Sequence, residues 1–163
     1  MKDRRQLIHW LGMALLSLIL LIVAAACGGA PQVDWDVAIT GSVGNPTSVS
    51  YAELVKMDQV DLTDLLMEKS MGEDEVHSWV GASLDEILAK AEVSDLSGGV
   101  TAIAADGYAV DIPEEELKDA IIALKRDGEW ITDAEPDKGP VRLVCPETPA
   151  NRWVFQITEI NVK

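Results

Sequence analysis

The sequence predicts an α+β fold of several short strands with short helices between them. Three features carry that expectation. Segments such as Trp35 to Val43 alternate apolar and polar residues, the period of a half-buried strand. Ser50-Tyr51-Ala52-Glu53 and Ser83-Leu84-Asp85-Glu86 both match the Ser-x-x-Glu capping box that opens a helix. Asp106-Gly107 and Asp127-Gly128 are turn signals set between apolar runs.

Taken in order, Trp35, Val37, Ile39, Gly41 and Val43 form the apolar face of a first strand, which Gly44-Asn45-Pro46 ends. The first capping box opens a short helix through Met57. Residues 60–69 fit either a helical face (Leu62, Leu65, Leu66) or a strand (Val60, Leu62, Leu66). The acidic loop Glu73-Asp74-Glu75 and the strand-like Val76-His77-Ser78-Trp79-Val80 favour a hairpin. After the second capping box, Leu84, Ile87, Leu88 and Ala91 recur at helical spacing. Ser97-Gly98-Gly99 breaks the chain before a strand from Val100, and Asp106-Gly107 reverses it into a partner ending at Ile112. Pro113 suits a first helical position, Glu114, Glu115 and Glu116 suit the positive helix end, and Leu117, Ala120, Ile121 and Leu124 give the buried stripe of a helix. Asp127-Gly128 turns the chain into Glu129-Trp130-Ile131-Thr132, and Gly139-Pro140 starts a strand at Val141. Trp153 to Val162 reads as one closing strand.

The N-terminus sets an address. Lys2, Arg4 and Arg5 precede an uncharged apolar run over residues 10–26, which ends in Ala24-Ala25-Ala26-Cys27-Gly28-Gly29. That order resembles a bacterial lipoprotein signal, in which the cysteine is acylated and becomes the new N-terminus. An uncleaved anchor and an ordinary secretory signal are the competing readings, and all three export the domain. The organisation expected is a signal peptide at 1–26, a lipidated tether at 27–32 and one domain at 33–163. The partner so implied is membrane lipid, held through Cys27 on the extracytoplasmic face of the cell membrane.

The 163-residue chain carries 28 acidic against 13 basic residues, a formal charge of −15. Loss of residues 1–26 removes Lys2, Arg4 and Arg5 but only one acid, Asp3, so the mature domain is more acidic still. Such a surface is repelled by phosphate backbones and anionic headgroups, which excludes nucleic acid as a partner. With Cys27 lipidated, Cys145 is left without an intramolecular disulfide partner. It lies in the apolar run Val141-Arg142-Leu143-Val144-Cys145-Pro146 and reads as a small buried hydrophobe.

Few patterns carry chemistry. A zinc site needs about three or four converging ligands, whereas the mature chain has one histidine, His77, which reads as a solvated strand residue beside an acidic loop. The acidic stretches lack the ligand spacing of a calcium-binding EF-hand. There is no Gly-x-Ser-x-Gly elbow, and Gly98-Gly99 precedes a strand rather than a phosphate-binding helix. Composition therefore argues against an independent enzyme.

A more specific signal is the order of several motifs. Trp79-Val80-Gly81-Ala82-Ser83-Leu84 is followed by Ala105-Asp106-Gly107-Tyr108, then Arg126-Asp127-Gly128-Glu129-Trp130-Ile131, then Gly139-Pro140-Val141-Arg142-Leu143-Val144-Cys145-Pro146, then Trp153-Val154. This series resembles the sulfite-oxidase-type molybdopterin-binding domain, from about Trp35 to Val162. The resemblance implies a mixed-sheet α+β fold and a molybdopterin cofactor. It also implies a molybdenum-ligating cysteine between the first helix and the Trp-x-Gly motif, but residues 59–78 contain none. Cys145 does not match that position.

The reading that follows is a lipid-anchored binding module for a ligand or partner, without catalysis and without cofactor. A molybdopterin oxidoreductase and a subunit of a membrane redox complex are the alternatives. The candidate pocket lies around Tyr108 and Arg142, with Trp79 and Trp153 as walls. The competing and favoured view of those residues pairs Arg142 with a local carboxylate and puts both tryptophans in the core.

Overall fold

Among the described residues two sheets are built from eleven strands, and both ends of the domain meet in one of them. The computed structural model describes residues 29–163, and the compact unit spans Pro31–Lys163. The segment expected to be a signal peptide, Cys27 and the first residue of the expected tether lie outside the described residues.

The first sheet has the order β2-β1-β11-β5-β6, formed by β1 (Asp36–Gly41), β2 (Thr47–Ser50), β5 (Val100–Ala104), β6 (Ala109–Ile112) and β11 (Ile157–Val162). β1 runs parallel to β11, with Ile39 opposite Ile160, and the other pairings are antiparallel. The second sheet has the order β10-β9-β7-β4-β3, from β3 (Gln59–Met67), β4 (Glu75–Ser83), β7 (Ile121–Arg126), β9 (Arg142–Val144) and β10 (Val154–Phe155). β8 (Glu129–Trp130) pairs with β7. Inward residues of both sheets, among them Val37, Ile39, Ile122, Leu143 and Ile160, join one hydrophobic core.

Among the described residues three short helices complete the α+β architecture: α1 (Tyr51–Leu54), α2 (Leu84–Lys90) and α3 (Ile131–Ala134). The first capping box is made in full. The Ser50 hydroxyl accepts from the Glu53 N–H, and the Glu53 carboxylate accepts from the Ser50 N–H. The hairpin favoured for residues 60–69 is present, with Leu62 opposite Trp79 and Leu66 opposite Val76.

Three expectations from the sequence need correction. The helix read after Pro113 is only a 3-10 turn, Glu114–Glu116, and Ile121 and Leu124 belong to β7. Asp119 takes a left-handed conformation (φ 55°) that ends any helical continuation. β7 lies between β4 and β9, and Ile121, Ile122, Ala123 and Leu124 are all buried. A strand covered on both faces is a continuous apolar run, which periodicity alone does not separate from a helix.

The second capping box is absent: Ser83 makes no capping hydrogen bond. It is still a strand residue, paired with Ile121, and the Leu84 N–H donates to the Ala120 carbonyl at 2.9 Å. The closing strand is two strands in different sheets. Gln156 (φ 48°) separates β10 from β11 and sends the chain from one sheet to the other. Beside these, Thr47 to Ser50 form β2 through an antiparallel ladder against β1.

Candidate functional site

Register in the second sheet assembles the site. Arg142 on β9 stands opposite Phe155 on β10 and Ala123 on β7. Its guanidinium carbon therefore lies 3.9 Å from the Phe155 ring centroid. Trp79 on β4 and Trp153, just before β10, approach it at 4.9 and 5.4 Å, and the two indoles meet edge to face at 5.9 Å. Gly81 lets β4 come this close to β7: a Cβ there would fall 2.1 Å from the Ile122 carbonyl oxygen.

Arg142 is only 3% exposed, yet the described residues hardly pair it. Its Nε has no hydrogen-bond partner, and its closest carboxylate oxygen, Glu135 Oε2, stands 3.9 Å from Nη1. The other Glu135 oxygen is already taken by Arg126 at 2.9 Å and Lys138 at 3.1 Å. Three cations thus share one carboxylate inside an acidic protein. Burial lowers the Arg142 pKa to about 10; Glu135 pulls it up and Arg126 pushes it down, and the group stays charged at neutral pH. A buried cation with unspent donors is costly unless something supplies the missing acceptor.

Arg142 lines a cleft of about 370 Å³ together with Lys69, Ser70, Lys138, Asn151 and Phe155, between the apolar Met67, Met71 and Ala150. No carboxylate is among these lining residues. A second chamber of about 440 Å³ continues from it, sharing Ser70, Lys138, Ala150, Asn151 and Phe155, and adds Asp106, Tyr108, Asp137 and Trp153.

Of the residues singled out from the sequence, Arg142, Trp79 and Trp153 come together. Tyr108 lines the second chamber and not the first, and it is 53% exposed at the surface. Trp79 is fully buried behind Arg142 rather than forming an open wall, and Trp153 faces the second chamber only. Lys69, Lys138, Asn151 and Phe155 were not singled out. One signal was available for them: Phe155 is the chain's sole phenylalanine, and Lys69 and Lys138 are cations within acidic loops.

His77 is less solvated than its sequence setting suggests. Nδ1 lies 2.7 Å from Asp127 and Nε2 lies 3.1 Å from Glu75, while Glu75 also pairs with Lys69. Asp127 turns the β7–β8 hairpin and accepts the Ser78 N–H at 2.9 Å, which brings it to the ring. His77 lines neither chamber.

The donor set does not fit a thiolate-held molybdenum. Among the described residues the one cysteine is Cys145, fully buried, its thiol pushed up to about 12 by burial and by Glu116. The described residues hold no group of three or more His, Cys, Asp or Glu suited to a metal ion. The cleft can bind and orient an anion, and it offers no nucleophile with an adjacent base.

The family model of the oxidoreductase molybdopterin binding domain matches residues 27–163. Among solved structures, a chain of the sulfane dehydrogenase SoxCD from Paracoccus pantotrophus superposes with a TM-score of 0.70 at 21% identity. The match covers 82% of this chain and 40% of that one, so this chain spans well under half of the dehydrogenase subunit. No curated protein matches the chain.

Proposed function

Since the chain belongs to the oxidoreductase molybdopterin binding domain family, we propose that it is a variant of that domain without catalysis: an extracytoplasmic module that binds an anion and is anchored to the membrane through Cys27. The observation that carries this reading is Arg142, buried among three aromatic rings, with its Nε unpartnered among the described residues and its one carboxylate neighbour there, Glu135, shared with Arg126 and Lys138. Lys69 and Lys138 at the cleft extend the positive potential to where a ligand enters. An anion there completes the Arg142 hydrogen bonds and balances the excess charge, with no chemistry required of the protein.

The anchoring rests on the order of basic start, apolar run and Ala-Ala-Ala-Cys27. Two acyl chains on one residue hold a protein to a bilayer stably, where a single chain is marginal. The domain's negative charge adds no attraction to anionic lipid, so the acyl group carries the attachment alone.

The alternative, an oxidoreductase or redox-complex subunit that holds a molybdopterin, is favoured by family membership and by a cationic cleft that suits a phosphate. Calorimetric titration of the purified domain with sulfate and with short alkanoates, beside metal analysis of protein taken from its own membrane, separates the two. Binding that disappears in Arg142→Met, in protein free of molybdenum, is the expected result. Stoichiometric molybdenum with pterin fluorescence, or failure of every anion to bind, overturns the reading.

A further inference from the structure

The first cleft combines one buried cation with an apolar wall. Arg142 lines it while only 3% exposed, and its Nε is unpartnered among the described residues. The two lysines of the cleft already hold partners. Lys69 pairs with Glu75, and Lys138 pairs with Glu135 at 3.1 Å and stands 5.0 Å from the Phe155 ring centroid. Arg126 reaches Asp127 at 3.7 Å as well as Glu135. Two carboxylates, Glu135 and Asp127, thus stand against three cations, Arg126, Lys138 and Arg142, which leaves one positive charge uncompensated. The remaining wall is largely apolar: Met67 is buried, Ala150 and Phe155 are half-buried, and Met71 is 85% exposed. An inorganic oxyanion satisfies Arg142 and leaves Met71 in water.

We propose that the ligand is an organic monocarboxylate with an apolar tail, its head on Arg142 and its tail along Met67, Phe155 and Met71. This rests on the anion-binding reading above and names the ligand class for the same cleft. A carboxylate is planar and accepts two parallel N–H bonds from one edge of a guanidinium, so it supplies the acceptor that Arg142 Nε lacks. Its single charge offsets the one excess positive charge. Methionine is unbranched and adaptable, so Met67 and Met71 can follow an alkyl chain, and covering Met71 removes apolar surface of both partners from water. A phosphate group matches the cleft less well. It carries roughly 1.5–2 negative charges at neutral pH and offers nothing to the apolar wall.

The experiment is a calorimetric titration of the full-length protein with the unbranched alkanoates from acetate to hexanoate, beside hexanamide and inorganic phosphate. Affinity is expected to rise about two- to fourfold with each added methylene, the gain of burying it. Hexanamide, the same tail without the charge, is expected to bind at least about tenfold more weakly than hexanoate, and phosphate more weakly than hexanoate too. Met71→Ser is expected to lower the ratio of hexanoate to acetate affinity about threefold. Met71 is exposed, so the variant keeps its fold, and a thermal melt on the same sample checks this. If affinity is flat along the series, if phosphate binds more tightly than every alkanoate, or if Met71→Ser leaves the ratio as it was, the tail assignment falls while the anion reading stands. If hexanamide matches hexanoate, or if no anion binds, both fall together.

Discussion

Arg142 concentrates the residue-scale chemistry of this domain. Its neighbours are three aromatic rings and a carboxylate that two other cations already hold. Arg142→Met keeps an unbranched side chain that packs well against aromatic rings, so the fold should survive while anion affinity drops tenfold or more, roughly the loss of a charged hydrogen bond. Calorimetry and a thermal melt on the same sample check both halves. Glu135→Gln acts in the opposite sense. It strips the shared carboxylate from Arg126, Lys138 and Arg142, so stability should fall by about 2 kcal/mol while the cleft binds anions more tightly. A variant that lost both stability and affinity would show Glu135 positioning the cations rather than competing with the ligand. Arg142, Trp79 and Trp153 were legible from sequence as an isolated cation and large aromatics within ordered motifs. Lys69 and Lys138 were not, because a lysine in an acidic loop looks solvated until the fold places it over a cleft.

At the scale of elements, local signals succeeded where the partner groups lie within a few residues. The Ser50 box closes on Glu53 and is made; the Ser83 box has the same sequence form and is not, because Ser83 remains in the β4–β7 ladder. Ser50→Ala should therefore cost about 1 kcal/mol, whereas Ser83→Ala should stay within about 0.5 kcal/mol of wild type, as denaturant unfolding would read. Gly81 is a closer constraint. An added methyl meets the backbone of Ile122 and Ala123, at 2.1 and 2.5 Å, and backbone cannot rotate away. Gly81→Ala should lower stability by about 1–3 kcal/mol and loosen the Trp79 contact with Arg142, visible as a change in tryptophan fluorescence. β7 is the element that sequence reading mistook for a helix. Its four buried residues satisfy two sheet faces, and nothing within the segment states that two neighbouring strands exist.

For the whole molecule, acidity and pairing act together. Glu75 is held down to about 2, first by its hydrogen bond with Lys69 and then by His77; Glu53 is lowered by the Ser50 hydroxyl, and Asp111 by Lys163 and Thr101. Each binds a proton less readily in the folded state than in the unfolded one. Their contribution to stability is therefore complete above the unfolded carboxylate range, near pH 4 to 4.5, and is lost as pH falls toward about 2. The melting temperature should decline across that window, and Glu75→Gln should flatten the decline. The sequence by itself determined the α+β class, the turns at Asp106-Gly107 and Asp127-Gly128, the Ser50 cap and the family motifs. Those signals lie within a few residues of one another, so the chain carries them without knowing its own fold. Only the tertiary structure decided that residues 121–126 form a central strand, that Gln156 divides one apolar run between two sheets, and that Arg142 is caged by aromatic rings with its Nε unpartnered and a shared carboxylate at 3.9 Å. Each of these depends on strands distant in sequence being brought into register. Burial and ion pairing are properties of that register, and no local pattern records them.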